Sequence, residues 1–320
     1  MGFSRRIRLT NQNSWQQRVS ATTDSTMRIL GFQRFAVLLW CLALGASLSC
    51  HKLKEEVGHD TPRLSSRLRL QDVTFHSAAL DRDMQYRVIL PKEIAAGQEL
   101  PTVYLLHGRG ESFRDWSNFS DVSPLAEHGL VVVMPEGDSS YYTNAVEHPQ
   151  DRYEDYIVTD LIRDVGSRFP VAEGRQSRAV AGVSMGGYGA VKLAFRYPQL
   201  FAFAGGLSPA VDVPSRPFSI RRPLQWRFHS SIFGPAGSQT RHDNDPFILA
   251  RSADPQTSPY LYLVCGDQEG LLPANRAIAD LLAQRRIPHE FHVVAGGHNW
   301  TQWNRSMSAL FASLLQHIQL

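Results

Sequence analysis

The chemistry-bearing residues of this chain fall at the ends of apolar runs. "AVAGVSMGGYGA" (179–190) sets Ser184 between Gly182 and Gly186, with a buried-type run before it and helix-forming residues after it. Such spacing fits either a tight strand-to-helix turn or a nucleophile elbow, in which a strained turn exposes a serine hydroxyl above a sheet. The partners decide between them. "LVCGDQEG" brings Asp267 and Glu269, and "VVAGGHNW" brings His298 behind Gly296 and Gly297. A serine hydroxyl alone is a weak nucleophile and needs a base for its proton. His298 supplies the base, and one of the two acids orients it. Serine, acid and histidine ending successive runs in that order is one of the chain orders in which such a triad occurs.

A second requirement is a receptor for the negative charge of a tetrahedral intermediate, usually two backbone N–H groups. The residue after the serine, Met185, provides one. "HGRG" (107–110) ends an earlier apolar run, and its Arg109 N–H is the expected second donor. His107 also ends a strand-like run, but it precedes Ser184, and its glycine-rich surroundings suit this oxyanion role.

These loops need strands to hold them. Alternating "VTFHS" from Val73 and "QYRVIL" from Gln85 predict an antiparallel pair. Val103–Leu106, "GLVVVMPEG", "RAVAGVS", "YLYLVCGD" and "HEFHVVAGGH" predict strands of a mostly parallel sheet. Helical spacing in "YEDYIVTDLIRDVGSRF", in the segment after Ser184, in "ANRAIADLLAQRR" and in "SMSALFASLLQHI" alternates with them. The expected fold is therefore α/β, a mostly parallel sheet with helices on both faces, over residues 71–320. Residues 211–255 break the alternation. With Trp226 and Phe228 near Arg221, Arg222 and Arg227, they are expected to form a lid and part of the substrate pocket.

The N-terminal part reads differently. Six arginines and one aspartate fall in residues 1–49, and the other 27 basic and 29 acidic residues leave a net charge of −2. No basic stripe marks the body as nucleic-acid binding. Arg28 and Arg34 precede an uncharged stretch, Phe35–Ser49, too short for a membrane span of about 20 residues but suited to a signal segment. Met27 alone would begin a signal of ordinary length, with cleavage near Ser49. Cys50 offers an alternative, a lipid-anchored first residue, although Leu48 sits one place late for a lipoprotein box. Residues 50–70 read as a polar tether. Cys41 and Cys50 belong to the leader and its edge, so Cys265 alone lies in the body and no internal disulfide framework is available.

The motifs "YLLHGRGESFRDW", "GVSMGGYGAVKLAFRYPQLF", "LVCGDQEGLL" and "AGGHNWTQW" resemble the esterase D-like branch of the α/β-hydrolases, from about Val73 to Ile318. That branch includes acylesterases, S-formylglutathione hydrolases, feruloyl and acetylxylan esterases, and mycolyltransferases. The resemblance implies serine-dependent hydrolysis of a small-molecule or glycan-linked acyl ester, with no metal or organic cofactor. Acyl transfer by the same residues, or a binding protein without catalysis, are the alternatives. The family's acid stands three residues after the glycine of "CG". In this chain that position holds Glu269 rather than an aspartate, and Asp267 is the alternative acid.

Overall fold

The computed structural model describes residues 60–320, so the leader, Met27, Cys41 and Cys50 lie outside the described residues. Eight strands form one sheet: β1 (Leu68–Ser77), β2 (Arg82–Pro91), β3 (Thr102–Leu106), β4 (Val131–Pro135), β5 (Arg178–Val183), β6 (Phe203–Leu207), β7 (Tyr260–Gly266) and β8 (His289–Val294). Their spatial order is β1-β2-β4-β3-β5-β6-β7-β8. β1 and β2 pair antiparallel over their whole length, β2 joins β4 antiparallel, and every pairing from β4 to β8 is parallel. β1 begins at Leu68, earlier than the alternation from Val73 suggests, because residues 68–72 pair with residues 87–91 of β2.

Successive strand residues feed opposite layers, as the two-residue period of a strand requires. Tyr104, Leu106, Val131, Val133 and Val180 pack with Tyr156, Leu161, Tyr188 and Leu193 on one face. Val103, Leu105, Val132, Ala179 and Ala181 pack with Met307, Leu310, Phe311 and Leu314 on the other. The first layer belongs to a helix over 153–168, whose middle turn Tyr156–Leu161 is π-helical, and to α1 (Met185–Arg196). The second belongs largely to α2 (Trp300–His317). A third cluster seats α3 (Leu272–Arg285) on Leu261 and Leu263 of β7.

β6 is the one strand the apolar runs do not announce. Its sequence is "FAGGL", and paired glycines are poor strand formers. Packing accounts for them: a Cβ on Gly205 would stand 2.6 Å from Leu310 Cδ1, and one on Gly206 3.0 Å from Pro209 Cγ. The chain here trades strand propensity for close approach of α2.

Strand order also places the site. From β3 the chain passes to β4 on one side, then returns to β5 on the other, so the order reverses between β3 and β5. Ligands of open α/β sheets bind beyond the carboxyl ends of strands at such a point. Those ends are His107–Gly110 and Ser184.

Candidate active site

Ser184 joins β5 to α1 with φ 54° and ψ −109°, a left-handed backbone that a non-glycine residue rarely adopts. The neighbouring strand holds it there. Ser184 N–H donates to Leu207 O at 2.8 Å, and Ser184 O accepts from Ala210 N–H at 3.1 Å. The turn is tight enough that a Cβ on Gly182 would lie 2.2 Å from the Gly186 carbonyl carbon, and one on Gly186 2.0 Å from Leu106 O. Both glycines of the pentapeptide are thus required by contact. The second brings the start of α1 against the end of β3.

Ser184 Oγ lies 2.8 Å from His298 Nε2, and His298 Nδ1 lies 2.6 Å from Glu269 Oε2. The three come from loops after β5, β8 and β7. The Glu269 side chain is 1% exposed, whereas that of His298 is 39% exposed and open to a substrate. The other carboxylate oxygen, Glu269 Oε1, accepts from Ser208 Oγ at 2.5 Å and from Gly266 N–H at 2.9 Å. Burial disfavours the Glu269 anion, but the hydrogen bonds from His298, Ser208 and Gly266 outweigh it and hold the carboxyl below its ordinary range. Asp267 stands apart from His298. It is exposed, and its Oδ1 accepts from Gly296 N–H at 2.9 Å, bracing the glycine turn that carries the histidine.

The "HGRG" loop abuts the start of α1. Gly108 N–H is taken by Glu111 Oε2 at 2.7 Å, so Arg109 is the next amide along the loop. Glu111 Oε1 accepts from Trp300 Nε1 at 2.8 Å, which ties this loop to the helix following His298. His107 is fully buried, with Nδ1 2.8 Å from Gly108 O and Nε2 3.1 Å from Glu136 Oε1. Burial opposes its charge, yet the bond to Glu136 and the charge of that carboxylate raise its pKa. Trp303, from the "HNWTQW" motif, donates Nε1–H to Ser208 Oγ at 3.1 Å and stands edge-on to His298 at 5.1 Å.

A cleft of about 670 Å³ opens over Ser184 and His298. Residues 211–255 supply much of its wall, including Arg216, Arg222 and Trp226. Phe228 does not line it. This ring packs behind Tyr141 and borders a neighbouring cleft of about 330 Å³. Sequence reasoning missed Ser208 and Glu111, which act on residues 61 and 189 positions away. No local pattern marks Ser208. For Glu111, its place in the loop motif was the available signal.

The family model described as "Putative esterase" matches residues 77–314. The chain belongs to this esterase family. It is 24% identical over 259 residues to an acetyl esterase of Caldicellulosiruptor saccharolyticus, covering 76% of this chain and 97% of that one. It is 28% identical over 261 residues to the esterase Rv1288 of Mycobacterium tuberculosis, covering 72% of this chain and 56% of that longer protein. Among solved structures it resembles the substrate-bound fluorophosphonate-binding serine hydrolase F of Staphylococcus aureus, with 26% identity and a TM-score of 0.68 over 78% of this chain and 99% of that one. The fold is that of the α/β-hydrolases, and the chain is a carboxylic-ester hydrolase of the serine esterase type.

Proposed function

We propose that ester hydrolysis runs through an acyl-enzyme on Ser184, with His298 as base and then acid, and Glu269 as its orienting carboxylate. The observation that carries this reading is the unbroken path from Ser184 Oγ to His298 Nε2 (2.8 Å) and from His298 Nδ1 to Glu269 Oε2 (2.6 Å). Ser184 Oγ attacks the ester carbonyl carbon while its proton passes to His298 Nε2. The carbonyl oxygen becomes an oxyanion, received by the N–H groups of Arg109 and Met185. On collapse, the carbon–oxygen bond to the alcohol breaks and His298 returns the proton to the leaving oxygen. Water then repeats the sequence on the acyl-enzyme and releases the acid. Glu269 stays ionised throughout, which the three donors converging on its carboxylate and its lowered pKa favour.

A short acyl ester is the substrate class this reading favours, supported by the acetyl esterase relative and the open cleft. The leader's charge and apolar pattern support export with cleavage beside Ser49, tested by the mass of the mature N-terminus and of any lipid on Cys50. A fluorophosphonate probe and p-nitrophenyl butyrate test the chemistry together. Wild type should be labelled and active, and Ser184→Ala neither. Near-wild-type turnover by Ser184→Ala would refute the mechanism. Product analysis with added glycerol separates hydrolysis from acyl transfer.

A further inference from the structure

We infer that the cleft beside Ser184 selects an acyl ester carrying a second, anionic group, a carboxylate or a phosphate, held by Arg109 and Arg222. This rests on the esterase reading of Ser184 and adds the charge of the substrate to it. Three arginines line the cleft: Arg109, Arg216 and Arg222. Its two carboxylates are already engaged. Glu269 is bonded to His298, Ser208 and Gly266, while Asp212 holds Arg216 in a bidentate pair at 2.7 and 2.8 Å. Arg109 and Arg222 have no carboxylate partner among the described residues. The guanidinium of Arg109 stands over the Phe228 ring, 5.9 Å from its centroid, and reaches the Tyr141 hydroxyl, a neutral partner that leaves its charge unpaired.

A fourth arginine lies behind the same wall. Arg241 is 5% exposed, and it donates to the carbonyls of Gly234, Pro235 and Pro214 and to Ser230 Oγ, with no carboxylate of the described residues paired with it. Its charge is therefore compensated by dipoles alone. His229, buried beside Tyr141 on the cleft wall, responds to this field: burial, then the charges of Arg216, Arg109 and Arg241, press its pKa down to about 4. Four guanidiniums thus face two carboxylates around a neutral imidazole. The surplus is local, because residues 50–320 are net acidic. Arg109 and Arg222 are exposed at the opening, with half-buried Arg216 and buried Arg241 behind them, and a cleft lined by one sign of charge focuses its field into the opening. The planar guanidinium fork matches carboxylate or phosphate oxygens in pairs. Trp226, on the same wall, buries its Nε1–H with no acceptor among the described residues.

The test uses matched esters differing in one charge. The pair 4-acetoxybenzoate and methyl 4-acetoxybenzoate carries it on the leaving alcohol, and mono-p-nitrophenyl adipate and p-nitrophenyl hexanoate carry it on the acyl group. In at least one pair, wild type should show a kcat/KM ratio of about ten in favour of the anion at low ionic strength, shrinking in salt. Arg222→Gln should cut that ratio about three- to tenfold, and Arg222→Lys should keep most of it. Because each ratio is taken on one protein, partial misfolding cancels. A ratio at or below one in both pairs, with the neutral esters turned over, overturns the inference and leaves the esterase reading intact. Failure to turn over either neutral ester overturns that reading instead. Calorimetric titration of Ser184→Ala with the anionic esters then reads the inference directly: salt-sensitive binding supports it, and no preference over the neutral esters overturns it.

Discussion

Glu269→Gln should abolish most activity while leaving the site's shape in place, and the reason is the direction in which the new amide must point. Glu269 Oε1 accepts two hydrogen bonds, from Ser208 Oγ at 2.5 Å and Gly266 N–H at 2.9 Å. In glutamine only the carbonyl oxygen can meet those two donors, so it keeps that position. The amide nitrogen is then forced to the place of Oε2, 2.6 Å from His298 Nδ1. An NH2 group donates, so Nδ1 must become the acceptor and the ring proton moves to Nε2. Nε2 then faces Ser184 Oγ already protonated and cannot take the hydroxyl proton. The same tautomer error in another serine hydrolase costs about 10⁴ in kcat, equivalent to about 5.5 kcal/mol of barrier. We expect a fall of about 10³ to 10⁴ in kcat with p-nitrophenyl butyrate, little change in KM, and a melting temperature within a few degrees of wild type.

Asp267→Asn is the matched control. Asparagine keeps an oxygen for Gly296 N–H, and the residue is exposed, so kcat should fall by less than about threefold and stability by less than about 1 kcal/mol. The reverse ranking of the two variants would refute the assignment of the acid without touching Ser184 or His298. Equal, mild losses in both would refute the tautomer argument itself.

Three further outcomes follow from neighbouring contacts. Ser208→Ala removes a donor to a buried carboxylate, worth about 1.5–3 kcal/mol; kcat should fall about 10- to 100-fold with KM unchanged, and a parallel rise in KM would count against positioning through Glu269. His107 has a raised folded pKa, so its stabilising contact with Glu136 is full below its unfolded value of about 6.5 and is lost as pH climbs through the folded one. Glu136, lowered on balance by His107 against the cost of burial, contributes fully above about 4.3 and loses its share as pH falls. The stability gap between wild type and His107→Asn should therefore be widest near pH 5.5 and narrow by pH 9 in urea titrations; a constant gap would refute it. Trp226→Ala should change relative rates on acetate, butyrate and octanoate several-fold and Phe228→Ala about twofold or less, since only the tryptophan lines the cleft; equal effects would argue that the two rings act together.

What could be read from the chain beforehand was governed by how local each cause is. The elbow was legible because its glycines stand at a fixed spacing on either side of the serine: a Cβ on Gly182 would meet Gly186 within the pentapeptide at 2.2 Å. Although the 2.0 Å contact of Gly186 is with distant Leu106 O, the residue it demands still falls in the motif. The parallel strands were legible because burial on both faces leaves continuous apolar runs, as in β4, where all five residues are buried. β6 was hidden by the opposite circumstance. Its Gly205 answers to Leu310 in α2, more than a hundred residues away, and propensity carries no record of that contact.

The choice between Glu269 and Asp267 shows the same division inside the site. Residue type alone favours aspartate, and spacing from Gly266 favours glutamate, so the chain by itself held two answers. The proposal of Glu269 rests on what surrounds each carboxylate rather than on the acid's own properties. Around Glu269 stand a hydroxyl from the loop after β6, an amide from the end of β7 and the imidazole from the loop after β8. Around Asp267 the recorded acceptor bond is one turn amide, Gly296 N–H. A buried carboxylate needs compensating donors to stay ionised, and an orienting carboxylate must stay ionised to stabilise the imidazolium formed during attack. Three donors converging on one nearly unexposed side chain meet both conditions, and a single turn amide on an exposed one meets neither. The glutamate's extra methylene carries its carboxylate past Gly266, where a Cβ would stand 2.8 Å from Glu269 Oε1. The Gly296 carbonyl comes closer still, at 2.3 Å, so glycine at 266 serves the turn that carries His298 first and leaves room for the glutamate as well.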